Sequence, residues 1–216
     1  MHRTPLNCYT ILVATSTNTD KAIINRTALL DKVLFILFDN QELPKYQTKP
    51  DVKDCEHVLG RFCEKLIKGN SYVFSKDHFS SFVRGVCEDK LLSVDAESLF
   101  AILYENHIII RHDNSWRFKH SFWIYYFAAK RMLDNSDFAK YIFENKRYID
   151  FPEIIEFYTG TDRHREDALR VLAKDLEESC QNVHEKIGLP ESLAPFDSLK
   201  WNPNESLLQE VKNQIN

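Results

Sequence analysis

The pattern of apolar and polar positions along the 216-residue chain predicts a string of helices. The clearest period lies in residues 51–69, where apolar residues recur three and four positions apart and charged residues occupy the opposite face. Further helices are predicted over residues 5–16, 25–40, 75–89, 136–145, 152–158 and 164–187. Ser75 and Asp95 are residue types that cap helix N-termini, so Asp95 indicates one more short helix over residues 96–106.

One segment departs from the helical pattern. Residues 107–112 and 116–119 are rich in β-branched and aromatic residues, and the turn residues 113–115 join them, which predicts a β-hairpin. Two helices, a hairpin and another helix, in that order, are the layout of a winged helix, with the hairpin as the wing. The predicted fold is therefore mainly α: a helical bundle, then a winged helix with one small β-hairpin, then further helices.

Composition excludes several classes of function. The chain contains neither G-x-x-x-x-G-K-[ST] nor G-x-G-x-x-G, so no glycine-rich loop holds phosphates and we expect no catalysis by this chain alone. The net charge of −4 gives no general attraction to nucleic acid or to an anionic membrane. We find no signal peptide and no membrane-spanning run, and the five widely spaced cysteines predict buried, reduced thiols. These features together predict a cytoplasmic protein.

The segment around His120 carries the most informative chemistry. A strand-like alternation ends on this histidine, and a dense aromatic helix starts at once. A helix N-terminus offers free N–H groups and the positive end of a dipole to an anion. From residue types alone, His120 can be a phosphate ligand, a cap or a core residue. The histidines match no metal-ligand spacing, so no metal site is predicted, and Glu153 and Glu156 are interpreted as solvated surface.

Three stretches share their pattern with one protein family. They are Arg-Thr-Pro-Leu-Asn at 3–7, Asn-Arg-Thr-Ala-Leu-Leu at 25–30 and Phe-Lys-His-Ser-Phe-Trp-Ile-Tyr-Tyr-Phe-Ala-Ala at 118–129. Together they resemble the regulatory half of STAND-class signalling ATPases, the NACHT/NB-ARC group. The third stretch is the most specific, because it resembles the winged-helix signature of Phe-x-His, then Phe, an aromatic pair and Ala-Ala. The resemblance covers roughly residues 3–133.

The resemblance implies roles for two residues. Pro5 matches the proline that packs against the adenine base in this family. His120 matches the histidine that reaches the β-phosphate of bound ADP and holds the winged helix against the nucleotide-binding domain. Relatives usually carry Gln-Glu where this chain has Trp-Ile-Tyr at 123–125, so a polar contact made there in relatives is not carried over.

The resemblance also implies a domain order. Residues 1–70 correspond to helical domain 1, residues 71–134 to the winged-helix domain, and residues 135–216 to a helical extension that begins helical domain 2 or an α-solenoid. In this family the nucleotide-binding domain precedes the Thr-Pro motif, so we expect this chain to be the C-terminal piece of a larger or split protein. ADP or ATP is then expected only with an upstream nucleotide-binding domain, in cis or as a separate partner, and no cofactor is expected for the chain alone.

The function implied by the resemblance is regulatory. The chain would sense bound nucleotide and control conformational switching and homo-oligomerisation, in defence signalling. Two alternatives stay open: a winged-helix DNA-binding protein and a stand-alone helical adaptor for protein interactions. The DNA-binding alternative is disfavoured because residues 95–106, the helix before the wing, hold three acids and no Lys or Arg. No nucleic acid or membrane partner is therefore expected.

Overall fold

The computed structural model describes residues 25–39, 51–144, 146–161 and 166–187. Their helices are α1 (Arg26–Asp39), α2 (Val52–Lys68), α3 (Lys76–Lys90), α4 (Ala96–Glu105), α5 (Ser121–Asp134), α6 (Ser136–Glu144), α7 (Pro152–Thr161) and α8 (Glu166–Ile187). A 3₁₀ turn spans Arg147–Ile149, and the strands are β1 (Val73–Phe74), β2 (Ile109–His112) and β3 (Ser115–Phe118). The prediction of a mainly α fold with a small β-hairpin is confirmed. The predicted helix over 5–16, with Pro5, lies outside the described residues.

Two predicted helix starts are confirmed by their capping hydrogen bonds. The Ser75 hydroxyl accepts a hydrogen bond from the backbone N–H of His78 at 3.1 Å and so caps α3. The Asp95 carboxylate accepts one from the N–H of Ser98 at 2.8 Å and so caps α4. Each cap satisfies one of the N–H groups that the first turn of a helix leaves without a partner.

The hairpin of the wing forms where the sequence predicts it, with a tighter turn. Ser115 belongs to β3 and pairs with His112, so only Asp113 and Asn114 connect the strands. Asp113 has a φ of 54°, the left-handed conformation that a two-residue hairpin turn requires and that Asp tolerates.

A third strand, β1, was not predicted. It pairs antiparallel with β3, Val73 opposite Arg117 and Phe74 opposite Trp116, which makes the sheet order β1-β3-β2. The helices α3 and α4 lie between β1 and β2 in the chain. This strand–helix–helix–hairpin topology is that of a winged helix.

Aromatic side chains join the wing to the helices around it. Phe62 of α2 makes edge-on contacts with Phe74 and Phe79, each with ring centroids 5.0 Å apart. Phe118 of β3 lies 6.1 Å from Phe74 and 6.3 Å from Phe127 of α5, centroid to centroid. All five residues are buried, so α2, α3, α5 and the sheet share one core. Helix α5 is central to it, because it packs against both α2 and α7.

The described residues up to Ala168 belong to one compact unit, and those from Leu169 belong to a second. All of the contacts that follow lie within the first unit.

Candidate functional site at the start of helix α5

His120 lies where β3 gives way to α5. The N–H of Lys119 donates to the carbonyl of Ile108 at 2.9 Å, which extends the hairpin ladder one residue beyond β3. His120 then has extended backbone, with φ −127° and ψ 135°, and is the N-cap residue of α5. Its carbonyl accepts a hydrogen bond from the N–H of Trp123 at 3.2 Å. The strand-to-helix junction that the sequence predicts is therefore present.

The His120 imidazole does not cap the helix. Within the described residues it makes no side-chain hydrogen bond to the start of α5, unlike Ser75 on α3 and Asp95 on α4. Partial burial, and then the charge of Lys119, lower the pKa of His120 below its ordinary value. A neutral imidazole with one N–H donor therefore lies beside a helix end whose first two residues, Ser121 and Phe122, have N–H groups without an acceptor inside the helix.

An aromatic ring holds this imidazole from one side. The rings of His120 and Phe122 stack with centroids 5.4 Å apart and an angle of 9° between their planes. The guanidinium of Arg26, at the start of α1, lies 5.4 Å from the centre of the same Phe122 ring. Arg26 also lies 4.9 Å from the ring centre of Phe157 on α7. Residues far apart in sequence thus meet at the start of α5, and no local pattern could have predicted it.

Two carboxylates of α7 fix the position of Arg26. Its Nη1 lies 2.9 Å from Oε1 of Glu153 and 3.3 Å from Oε2 of Glu156. The interpretation of these acids as solvated surface is confirmed for Glu156, which is exposed, whereas Glu153 is only partly exposed. Both acids have an arginine partner on another helix, which the interpretation did not include. The sequence could not show this, because 127 residues separate Arg26 from Glu153.

A second polar cluster joins α1, α2 and α5 further along the same helix. The Tyr126 hydroxyl, buried in the core, contacts Asp31 of α1 and Glu56 of α2. Lys130 Nζ lies 2.7 Å from Oδ1 of Asp31, and Lys53 Nζ lies 2.8 Å from Oε2 of Glu56. Burial, followed by the neighbouring carboxylates, raises the pKa of Tyr126. This aromatic residue is part of the core, and its hydroxyl also links three helices.

A cavity of about 530 Å³ lies at the opposite end of α5. Its lining includes Lys53, His57, Lys90 and Arg131. Arg131 is 11 positions beyond His120, which at 1.5 Å per helical residue corresponds to roughly 16 Å along the helix. This cavity is therefore separate from the His120 junction.

The cysteines of the described residues are free thiols. Cys55 and Cys63 are buried, as predicted, while Cys87 and Cys180 are partly exposed, so the predicted burial is wrong for those two. Burial raises the pKa of Cys63 well above its ordinary value, which keeps this thiol protonated and unreactive.

Among the residues that the structure describes, no group of three or more His, Cys, Asp or Glu side chains is placed to hold a metal ion. None of their helices is both long enough and apolar enough to cross a membrane.

Comparison with known proteins finds a similarity for one part of the chain. Residues 72–128 match the family model described as Novel STAND NTPase 4. The matched segment contains the three strands of the sheet, α3, α4, the first half of α5 and His120. No curated protein and no solved structure matches the chain. The region 72–128 is thus related to STAND NTPases, while the NACHT/NB-ARC subgroup and the role of Pro5 stay predictions.

Proposed function

We propose that this chain is the regulatory region of a STAND NTPase and that His120 contacts the phosphates of the bound nucleotide. One observation carries the proposal: within the region similar to the Novel STAND NTPase 4 family, the His120 imidazole lies at the N-terminus of α5 and makes no capping hydrogen bond to that helix. A capping role would use that imidazole on the helix itself, and the geometry shows no such bond.

The chemistry at this point suits a phosphate. Helix α5 has 14 residues, so the aligned peptide dipoles give its N-terminus a partial positive charge. Its first N–H groups and the His120 ring N–H can donate to phosphate oxygens, and Lys119 is an exposed cation next in the chain. Pro5 would contact the adenine base by the same resemblance; it lies outside the described residues.

The regulatory role follows from a contact made in one nucleotide state only. With ADP bound, His120 would hold the winged helix against a nucleotide-binding domain located elsewhere in the polypeptide or on a partner chain. Exchange of ADP for ATP would remove this contact and shift the population towards an open state that oligomerises. The trigger would be a defence signal, and this chain would itself catalyse nothing.

The charges around α4 favour this function over DNA binding. In a winged-helix DNA-binding protein this helix would face the phosphates. Here Glu97 on α4 pairs with Lys76 Nζ at 2.6 Å and so occupies a cation that could otherwise contact DNA. The wing offers Arg111, Arg117 and Lys119, which are exposed. Three cations beside an acidic helix make a weak basic patch, and we therefore expect no specific duplex binding.

Binding of fluorescently labelled ADP tests the proposal. The nucleotide-binding domain of a Novel STAND NTPase 4 family member, supplied in trans, is titrated with labelled ADP with and without this chain. We expect the chain to tighten ADP binding, and we expect His120→Ala to lose roughly tenfold or more of that gain, the usual effect of losing one charge-assisted hydrogen bond.

His112→Ala is the matched control, because His112 is an exposed histidine on the wing whose Nδ1 contacts Asp113 at 3.5 Å. It should behave like the wild type. An equal ADP affinity in the presence of the wild-type chain and of His120→Ala would refute the phosphate contact. Micromolar binding of ADP by the chain alone would refute the need for a separate domain. Salt-dependent binding to a DNA duplex would support the alternative function.

A further inference from the structure

We infer that Arg26 is a positioning residue for His120, acting through Phe122, and that α1 and α7 thereby regulate the His120 site. The positioning itself is a property of this chain without nucleotide. Its regulatory consequence rests on the proposed function.

The first step is the stack at the start of α5. Phe122 contacts the His120 imidazole with nearly parallel rings and also lies beneath the Arg26 guanidinium. A cation over an aromatic face and an offset ring stack each favour one orientation of the Phe122 ring. Since the His120 side chain makes no cap hydrogen bond, this stack sets the direction of its ring nitrogens.

The second step is the rigidity of Arg26. Its guanidinium pairs with two carboxylates of α7 and lies over the Phe157 ring of the same helix. The side chain is 31% exposed, and the contacts of Nη1 with two carboxylates and of the guanidinium with two rings restrict its rotation. Arg26 therefore couples the position of Phe122 to the position of α7.

The third step is the kind of contact that α1 makes with α5. The α5 side chains that meet α1 are Phe122, Tyr126 and Lys130, four residues apart and hence on one face of the helix. On α1, the partners are the charged residues Arg26 and Asp31. These contacts between α1 and α5 are one ion pair, one hydrogen bond and one cation–π pair, so a change in the position of α1 acts directly on the Phe122 ring.

Coupling between the His120 site and the helices α1 and α7 follows from thermodynamic linkage. A movement of α1 or α7 that removes Arg26 from Phe122 frees the His120 ring and weakens an anion contact there. By reciprocity, an anion held by His120 stabilises the packing of α1 against α7. The state of a nucleotide held by His120 would thereby reach α1 and α7 through Phe122 and Arg26.

Nuclear magnetic resonance of the full chain, labelled at histidine and measured without nucleotide, tests the positioning. The His120 ring protons of the wild type should be shifted upfield by the stacked Phe122 ring. Arg26→Ala should move these signals towards the position of an unstacked histidine. It should also raise the pKa of His120 towards its ordinary value, because partial burial is the main cause of its depression. Arg26→Lys should have an intermediate effect, since lysine keeps the charge and loses the planar guanidinium.

Arg61→Ala is the matched control. The Arg61 side chain on α2 is 28% exposed and pairs with Asp89 at 3.1 Å, far along the chain from His120. The inference would be overturned if Arg26→Ala and Arg61→Ala changed the His120 signals and the pKa of His120 to the same extent. Should Arg26→Ala unfold the chain, an unchanged His120 spectrum in Arg26→Lys and Phe122→Leu would overturn it instead. None of these samples contains ADP, so their result is independent of the test of the phosphate contact.

Discussion

The Tyr126 hydroxyl donates a hydrogen bond to Oε1 of Glu56 at 2.9 Å, from the middle of α5 to the first turns of α2. The same hydroxyl contacts Asp31 of α1. A tyrosine hydroxyl has one hydrogen, so it can be donated to only one carboxylate at a time. The lysines at positions 53 and 130 supply the other donors that the two acids need. A single buried hydroxyl therefore sits where three helices meet.

We predict that Tyr126→Phe lowers the free energy of unfolding by about 1 to 3 kcal/mol, the cost of leaving a buried polar group without its partner. Glu56 is almost fully buried and would keep Lys53 as its main partner. Urea denaturation followed by circular dichroism measures the change. Tyr104→Phe is the control, because Tyr104 on α4 is 48% exposed, and it should change stability little. Equal stabilities of the two variants would contradict the role of Tyr126.

A second prediction concerns the close approach of α2 and α5. A Cβ added at Gly60 would lie 3.1 Å from the carbonyl oxygen of Phe127 and 3.2 Å from Cβ of Arg131. The first of these neighbours is backbone and cannot move aside alone. Gly60→Ala should therefore destabilise the protein by about 1 to 3 kcal/mol through overpacking, even though alanine is the better helix former.

Gly85 provides the matched comparison for this effect. It lies inside α3, is exposed, and has no neighbouring atom within 4 Å of an added Cβ. Gly85→Ala should raise the free energy of unfolding by about 0.5 to 1 kcal/mol, because alanine restricts the unfolded chain. Thermal denaturation of both variants shows directly whether each substitution raises or lowers the stability of the fold. A stabilising Gly60→Ala would show that α2 and α5 do not pack as closely as the structure has them.

Local patterns predicted most of the fold, and they failed where partners are distant. The caps Ser75 and Asp95 and the turn at Asp113 are local chemistry, and all three are where the sequence predicts them. Strand β1 has two residues, Val73 and Phe74, too few to show an alternation, and it exists because β3 offers it a free edge.

In the candidate site, too, the sequence predicts what depends on neighbouring residues and misses what depends on distant ones. The sequence marks His120 because a strand pattern and a helix pattern meet there. It does not mark Arg26, whose partners on α5 and α7 come from far along the chain and have no spacing to recognise. The arginine partner of Glu153 and Glu156 is missed for the same reason, since two acids at the start of a predicted helix are ordinary when nothing local indicates a partner.

A third prediction follows from Glu64 of α2. Burial of this carboxyl would raise its pKa, but hydrogen bonds from Arg131 at 2.7 Å and Lys68 at 2.6 Å outweigh it and lower the pKa below the ordinary value. A carboxyl whose pKa is lower in the folded state stabilises the fold above its unfolded pKa, about 4.3. That stability is lost as the pH falls through the folded value.

Glu64→Gln should therefore be less stable than the wild type at neutral pH, and the difference should shrink below about pH 4.3. Urea midpoints measured across this range test it. Glu88→Gln on α3 is the control, because Glu88 is exposed and lies on another helix. A difference between Glu64→Gln and the wild type that stays constant down to about pH 3 would show that the pKa of Glu64 is not lowered.

The last prediction joins the electrostatics of His120 to its proposed role. Partial burial, and then Lys119, lower the pKa of the free imidazole, so it is neutral at pH 7. A phosphate beside it would favour the protonated form and raise its pKa in the complex. Binding then takes up a proton, so the gain in ADP affinity that this chain confers should grow as the pH falls from the complexed pKa to the free one. His120→Ala should remove this pH dependence, while His112→Ala should keep it. A wild-type gain that is flat between about pH 8 and 5.5 would place the phosphates away from this imidazole.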